Sequence, residues 1–122
     1  MKLDPIVEEK IAETAFCWLD YDHYGSEGKA IKAFRRRKGM KEFPPEIVKL
    51  WLDQAVKVRR RVDKIKKEIA KDYGRPSHEY LKENEFSEGT DRLRGQLTRE
   101  FPDINITVEH MIAMAWTMYY LR

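Results

Sequence analysis

The feature that most constrains the fold of this chain is an apolar seam near its middle. Six apolar residues step by four, three, four, three and four positions, the heptad spacing of a helix that buries one face. These seam residues are Trp51, Ala55, Val58, Val62, Ile65 and Ile69. A Pro44–Pro45 pair precedes the seam, and Gly74 and Pro76 follow it. The pattern predicts one long amphipathic helix over about residues 45–73.

Two shorter helices are predicted before the long one. The Asp4–Pro5 pair is typical of a helix start, because Asp caps the first turn and Pro lacks only an unused N–H. Apolar residues at helical spacing extend this helix to about Asp20. Ser26 is placed to cap a second helix over residues 27–38, which Gly39 would end.

The last third of the chain carries weaker helix signals. We expect Ser77 to cap a short helix over residues 78–84. Thr90 is expected to cap another helix that reaches Phe101, and Thr107 to cap the last helix. These signals rest on single capping residues rather than on a long periodic pattern.

Together the signals predict a single all-α domain, residues 1–122. Five to six helices form a bundle organised around the long helix, and no segment alternates with a period of two, so no sheet is expected. At 122 residues the chain can bury a core without disulfides. Its single cysteine, Cys17, lies in an apolar stretch and is expected to be a buried free thiol.

Positive charge is concentrated on one face of the predicted long helix. Residues 25–76 hold 17 basic and seven acidic residues, a net charge of +10, whereas the segments before and after them carry −4 and −3. Five of these cations are spaced by three, four, three and four positions, opposite the seam. This basic stripe consists of Lys57, Arg60, Lys64, Lys67 and Lys71. Such a row of lysines and arginines predicts contact with nucleic-acid phosphates.

Further arginines and the first loop extend this prediction. The additional candidate phosphate ligands are Arg35, Arg36, Arg37, Arg59 and Arg61. Phosphate contacts of this kind give salt-dependent and largely sequence-independent affinity. Tyr21, His23 and Tyr24 can stack on unpaired bases if the fold brings them beside the cations.

Two structural interpretations of the stripe compete with binding. In the first, carboxylates on the same helix neutralise it through i,i+4 pairs. These pairs would be Asp53 with Lys57, Asp63 with Lys67, and Glu68 with Lys64. In the second, Glu8, Glu9 and Glu13 of the first helix cover it. The arginines at residues 35–37 also suit a helix C-terminus, where cations offset the helix dipole.

The chain carries no recognisable catalytic or metal-binding motif. The histidines His23, His78 and His110 lack the Glu-x-x-His spacing of helical di-iron sites. Cys17 lies among apolar residues rather than in the exposed, electropositive surroundings of a reactive thiol. We therefore expect no enzymatic activity, no cofactor and no metal.

The leading functional prediction is a non-enzymatic protein that binds the backbone of DNA or RNA through the stripe, alone or as a subunit of a complex. The alternative is a protein–protein adaptor or inhibitor without nucleic-acid contact. Its docking surface would be the basic helices, set against an acidic protein, or an uncovered part of the Trp51–Ile69 seam, which is also the expected homodimer interface. The sequence has no signal-peptide pattern and no run of 18 apolar residues, so a cytoplasmic protein without membrane contact is expected.

Overall fold

The computed structural model describes residues 3–121, which form helices and turns without any strand. The helices are α1 (Pro5–Tyr21), α2 (Glu27–Arg36), α3 (Pro45–Asp72), α4 (Glu83–Glu100), α5 (Asn105–Ile112) and α6 (Met118–Tyr120). A 3₁₀ turn (His78–Tyr80) precedes α4, and a π-helical segment (Ala113–Thr117) joins α5 to α6. The predicted all-α bundle around one long helix is confirmed.

The long helix α3 is the centre of the bundle and packs against α1, α2, α4 and α5. Its seam lies in the core, where Ala55, Val58, Val62, Ile65 and Ile69 are all fully buried. α3 ends one residue earlier than predicted. Its last carbonyls are satisfied by the N–H groups of the turn that follows, Gly74 to Lys71 at 2.9 Å and Arg75 to Ala70 at 2.8 Å. Gly74 permits this ending because it adopts φ +67°, which L side chains rarely allow.

The helix starts in the first half are those that the sequence predicts. Asp4 Oδ1 accepts a hydrogen bond from the Ile6 N–H at 2.9 Å, and Ser26 Oγ accepts one from the Lys29 N–H at 3.3 Å. α2 ends at Arg36, two residues before the predicted end. Gly39, with φ +83°, therefore lies in the turn after the helix rather than at its end.

In the last third, the predicted break before Thr90 is wrong. α4 runs without interruption through this residue, and Ser77 precedes only the short 3₁₀ turn. Thr90 Oγ1 donates to the Phe86 carbonyl at 2.8 Å and accepts from Trp116 Nε1 at 2.8 Å. The hydroxyl is thus satisfied inside the helix, so it does not need to act as a cap.

Thr107 is not the N-cap of α5 either, because it lies inside the first turn. The carboxylate of Glu8 in α1 accepts hydrogen bonds from both the Thr107 N–H and, at 3.0 Å, the Thr107 hydroxyl. Glu8 is 4% exposed, so this cap is a buried contact between α1 and α5. A carboxylate suits this place, since helix N-termini carry free N–H groups and positive partial charge.

The π-helical segment contains Trp116, the largest fully buried side chain among the described residues. Trp116 is fully buried, and its ring stacks on that of His78, with centroids 4.8 Å apart, and on that of Phe86, with centroids 5.2 Å apart. A π turn interrupts the regular hydrogen bonding of an α-helix, so that backbone carbonyls there are open to side-chain donors. Lys66 Nζ donates to the Ala115 carbonyl at 2.9 Å, and His78 Nε2 donates to that of Trp116 at 3.2 Å. These contacts hold the end of the chain against α3.

Candidate nucleic-acid interface

The basic stripe lies on the side of α3 that faces away from the core. The side chains of Lys57, Arg60, Lys64, Lys67 and Lys71 are all exposed. The first and last of them are 14 positions apart, and the helical rise therefore spreads the charges over roughly 21 Å. A row of this length spans about six base-pair steps of duplex nucleic acid.

The other cations of α3 are neutralised within the fold. α3 carries nine basic residues, and each of the four outside the stripe forms an ion pair. These pairs are Lys49 with Asp53 and Glu27, Arg59 with Asp20 and Asp63, Arg61 with Glu100, and Lys66 with Asp63. Within residues 3–121, no stripe residue has an ion-pair partner. Within residues 3–121, the cations of α3 that lack an ion-pair partner are therefore those of the stripe.

The carboxylates expected to neutralise the stripe from within α3 bind elsewhere or bind no cation. Asp53 pairs with Lys49 at 3.0 Å, one turn before the stripe. Asp63 pairs with Arg59, because a buried guanidinium requires a counter-charge more than an exposed lysine does. Glu68 forms no ion pair with any residue in the part of the chain that the structure describes. The predicted i,i+4 neutralisation of the stripe is wrong.

The acidic residues of α1 do not cover the stripe either. Glu8 caps α5 in the core. Glu13 accepts from Arg37 Nη1 at 2.7 Å; burial opposes its charge, but this bond and nearby cations lower the pKa of its carboxyl. Glu9 is exposed to solvent. The prediction of an acidic cover is therefore wrong, and the stripe faces solvent.

The two arginines that flank the stripe are engaged in bonds between helices. Arg59 is 8% exposed, and its Nε donates to Asp20 of α1 at 2.9 Å. Burial disfavours its charge, but the bonds to Asp20 and Asp63 raise the pKa of its guanidinium. Arg61 Nε donates to Glu100 of α4 at 2.7 Å. Arg59 therefore belongs to structural ion pairs, and Glu100 of α4 is the counter-charge of Arg61.

The three arginines at the end of α2 have different environments. Arg35 donates to the backbone carbonyls of Phe43 at 2.8 Å and of Lys41 at 3.1 Å, and it fixes the turn after α2. Arg37 is bonded to Glu13, and although burial opposes its charge, hydrogen bonds with Glu13 and Tyr24 raise the pKa of its guanidinium. Arg36 is exposed and has no ion-pair partner within residues 3–121. Only Arg36 of the three presents a free guanidinium to solvent.

A groove of about 550 Å³ opens at the C-terminal end of the stripe. The stripe residues Lys67 and Lys71 line it together with Lys66, Arg75 and His78. Burial lowers the pKa of both the Lys66 ammonium and the His78 imidazole. Sequence reasoning did not single out Lys66, because its role depends on the π-helical segment, which has no local signature.

Docking of an adaptor through the seam depends on an uncovered seam, and the structure covers most of it. From Ala55 to Ile69 every seam residue is at most 1% exposed. Trp51, at the start of the seam, is half-buried and packs edge-to-face against Phe43 at 5.1 Å. The prediction of a free seam is therefore wrong for the residues from Ala55 to Ile69. Docking of the basic helices on an acidic protein stays a prediction.

Within residues 3–121, no three His, Cys, Asp or Glu side chains come together as a metal-ligand group. Among the same residues, no helix combines the length and apolar character needed to cross a membrane. Comparison with protein-family models, with curated proteins and with solved structures gives no significant match.

Proposed function

We propose that this protein binds the sugar–phosphate backbone of nucleic acid through the basic stripe, without catalysis, alone or as a subunit of a complex. The observation that carries the proposal is the division of cations on α3. Four are matched with carboxylates, and the five that share one face are exposed without an ion-pair partner within residues 3–121. A polyanion would relieve the mutual repulsion of these five charges, about 0.2–0.5 kcal/mol for each neighbouring pair.

The composition of the stripe points to recognition by charge. Four of its five members are lysines, which bind phosphates as point charges rather than through a fixed two-pronged geometry. Release of counterions from phosphates supplies such affinity without regard to base sequence. We therefore expect weak sequence preference and strong dependence on salt.

The test is fluorescence anisotropy with labelled DNA and RNA oligonucleotides, with the wild type compared with an Arg60→Glu, Lys64→Glu, Lys67→Glu variant. If each stripe residue contacts one phosphate, the variant loses at least three of five contacts. The slope of log K against log salt for duplex DNA should then change from about −4.5 to between about −2 and zero. Because the three substituted side chains are exposed, the variant should still fold, and thermal melting followed by circular dichroism checks this.

The matched control keeps the charge and changes the side chains: Arg60→Lys, Lys64→Arg and Lys67→Arg. This variant should bind as the wild type does, because Coulombic contact with phosphates needs charge rather than one donor geometry. Equal binding by the charge-reversed and charge-conserving variants would refute the role of the stripe.

A further inference from the structure

A second cationic surface, separate from α3, surrounds the C-terminal half of α2. Two concavities adjoin there and share Lys32 and Arg36. One, of about 720 Å³, is lined by basic residues and Gly39: Lys32, Arg35, Arg36, Arg37, Lys38 and Lys41. The other, of about 520 Å³, adds aromatic rings: His23, Tyr24, Lys29, Lys32 and Arg36 are among its lining residues. We call the two together the α2 cleft; no acidic residue lines either part.

Internal hydrogen bonds build the cleft and leave most of its charge free. Arg35 and Arg37 are bonded to the turn after α2 and to Glu13, so they hold the walls in place. The other cations are exposed and have no ion-pair partner within residues 3–121: Lys29, Lys32, Arg36, Lys38 and Lys41. The cleft therefore presents these five exposed cations, which no carboxylate within residues 3–121 neutralises, around a concave surface.

Aromatic rings lie at one end of this charge. α1 ends at Tyr21, the following Asp22 adopts the left-handed conformation with φ +48°, and the His23 N–H donates to the Cys17 carbonyl at 3.2 Å. This turn places the exposed ring of His23 edge-to-face against the half-buried ring of Tyr24, with centroids 5.0 Å apart. Tyr21 is not part of the cleft, because its ring packs edge-to-face on Phe16 at 5.6 Å. Of the three aromatic residues in the first loop, two thus reach the cations.

We propose that the α2 cleft binds unpaired nucleotides, with a base stacked on the exposed His23 ring, which Tyr24 supports edge-to-face, and the flanking phosphates on Lys29, Lys32 and Arg36. Aromatic rings beside a cationic groove are how proteins hold single strands, since every unpaired base offers a flat face. Bases within a duplex are already stacked on each other and are closed to these rings. The inference rests on the proposed function of the stripe, and it names the substrate class: nucleic acid with a single-stranded segment.

The experiment compares three labelled oligonucleotides of equal length: a single strand, a blunt duplex, and a duplex with a single-stranded overhang. The full chain is titrated with each by fluorescence anisotropy, as wild type and as His23→Ala. Loss of one stacking contact should weaken binding of the single strand and of the overhang about fivefold or more. Binding of the blunt duplex should not change. Tyr80→Ala is the matched control, because Tyr80 is an exposed aromatic residue that does not line the cleft.

A second variant, Lys32→Ala with Arg36→Ala, tests the phosphate part of the cleft. It should lower the salt slope for the single strand by about 1.4 and leave the slope for the blunt duplex unchanged. Both side chains are exposed, and a melting curve checks that the variant is folded.

The outcomes separate this inference from the role of the stripe. If the wild type binds the blunt duplex as tightly as the overhang, and His23→Ala changes neither, the cleft proposal is wrong while the stripe proposal stands. If the stripe variant binds normally but the His23 and Lys32/Arg36 variants lose single-strand binding, the stripe proposal fails and the cleft proposal holds. An absence of binding to all three oligonucleotides overturns both.

Discussion

Replacing Gly89 with alanine should destabilise the protein, although alanine is normally the better helix residue. Gly89 lies in the middle of α4, and a Cβ built on it would meet Ile69 Cγ2 and the Trp116 ring atoms Cζ2 and Cη2, each at 3.1 Å. The Trp116 ring has little room to move, because it is fully buried, stacks on His78 and Phe86, and donates to Thr90 Oγ1 at 2.8 Å. The added methyl group must therefore be accommodated by strain in the core.

The magnitude follows from two opposing effects. Replacing glycine with alanine inside a helix stabilises the helix by about 1 kcal/mol. Inserting a methyl group into a filled core costs about 1–3 kcal/mol. Gly95→Ala in the same helix is the matched control, because its Cβ would meet only Arg99 Nη1, at 3.8 Å. The difference between the two variants cancels the helix-propensity effect and should be about 1–3 kcal/mol, with Gly89→Ala the less stable.

The assay is urea or thermal unfolding of both variants followed by circular dichroism. For a chain of 122 residues, about 1 kcal/mol corresponds to about 4 °C in Tm. Gly89→Ala should thus melt about 4–12 °C below Gly95→Ala. If the two variants were equally stable, the packing of α4 on the Trp116 stack would not be as described.

Three further perturbations test other parts of the fold. Glu8→Ala removes the buried cap of Thr107 and should cost about 3 kcal/mol in urea unfolding, because it orphans a buried N–H and a hydroxyl; a loss below about 0.5 kcal/mol would contradict the cap. Arg59→Ala leaves the largely buried Asp20 carboxylate without a counter-charge and should cost about 3–5 kcal/mol, whereas a neutral effect would show that this pair is not buried. Burial lowers the pKa of both His78 and His110, so the unfolded chain takes up protons before the folded one as pH falls below 6.5. Stability should then decrease from pH 7 to pH 5, by at most about 1.4 kcal/mol per pH unit for each histidine, and a flat profile would refute the burial of both rings.

The long helix was predictable because its signals are local and repeated. The seam and the glycine stop at Gly74 fix α3 within one residue, and its burial pattern follows from the same spacing. The last third was not predictable, because its decisive contacts join distant segments. Glu8 caps a helix that begins 97 residues later. Thr90 accepts a hydrogen bond from the Trp116 ring instead of capping a helix. A capping residue in the sequence indicates where a helix is able to start, but tertiary contacts decide whether a helix starts there.

The candidate site was predictable to a similar degree. Helical spacing placed the five stripe residues on one exposed face. It could not indicate which cations are neutralised, since Arg59 and Arg61 find their carboxylates on α1 and α4. Nor could spacing bring His23 beside Lys32, because that neighbourhood depends on the turn between α1 and α2.

The most direct test of the proposed function is the salt dependence of nucleic-acid binding by the wild-type protein. Five stripe contacts predict a slope of log K against log salt near −4.5 for duplex DNA, so that raising salt from 50 to 200 mM weakens binding about 500-fold. The charge-reversed variant should lose most of this slope. Absence of binding at 50 mM salt, or a slope near zero, would contradict the claim that the stripe binds phosphates.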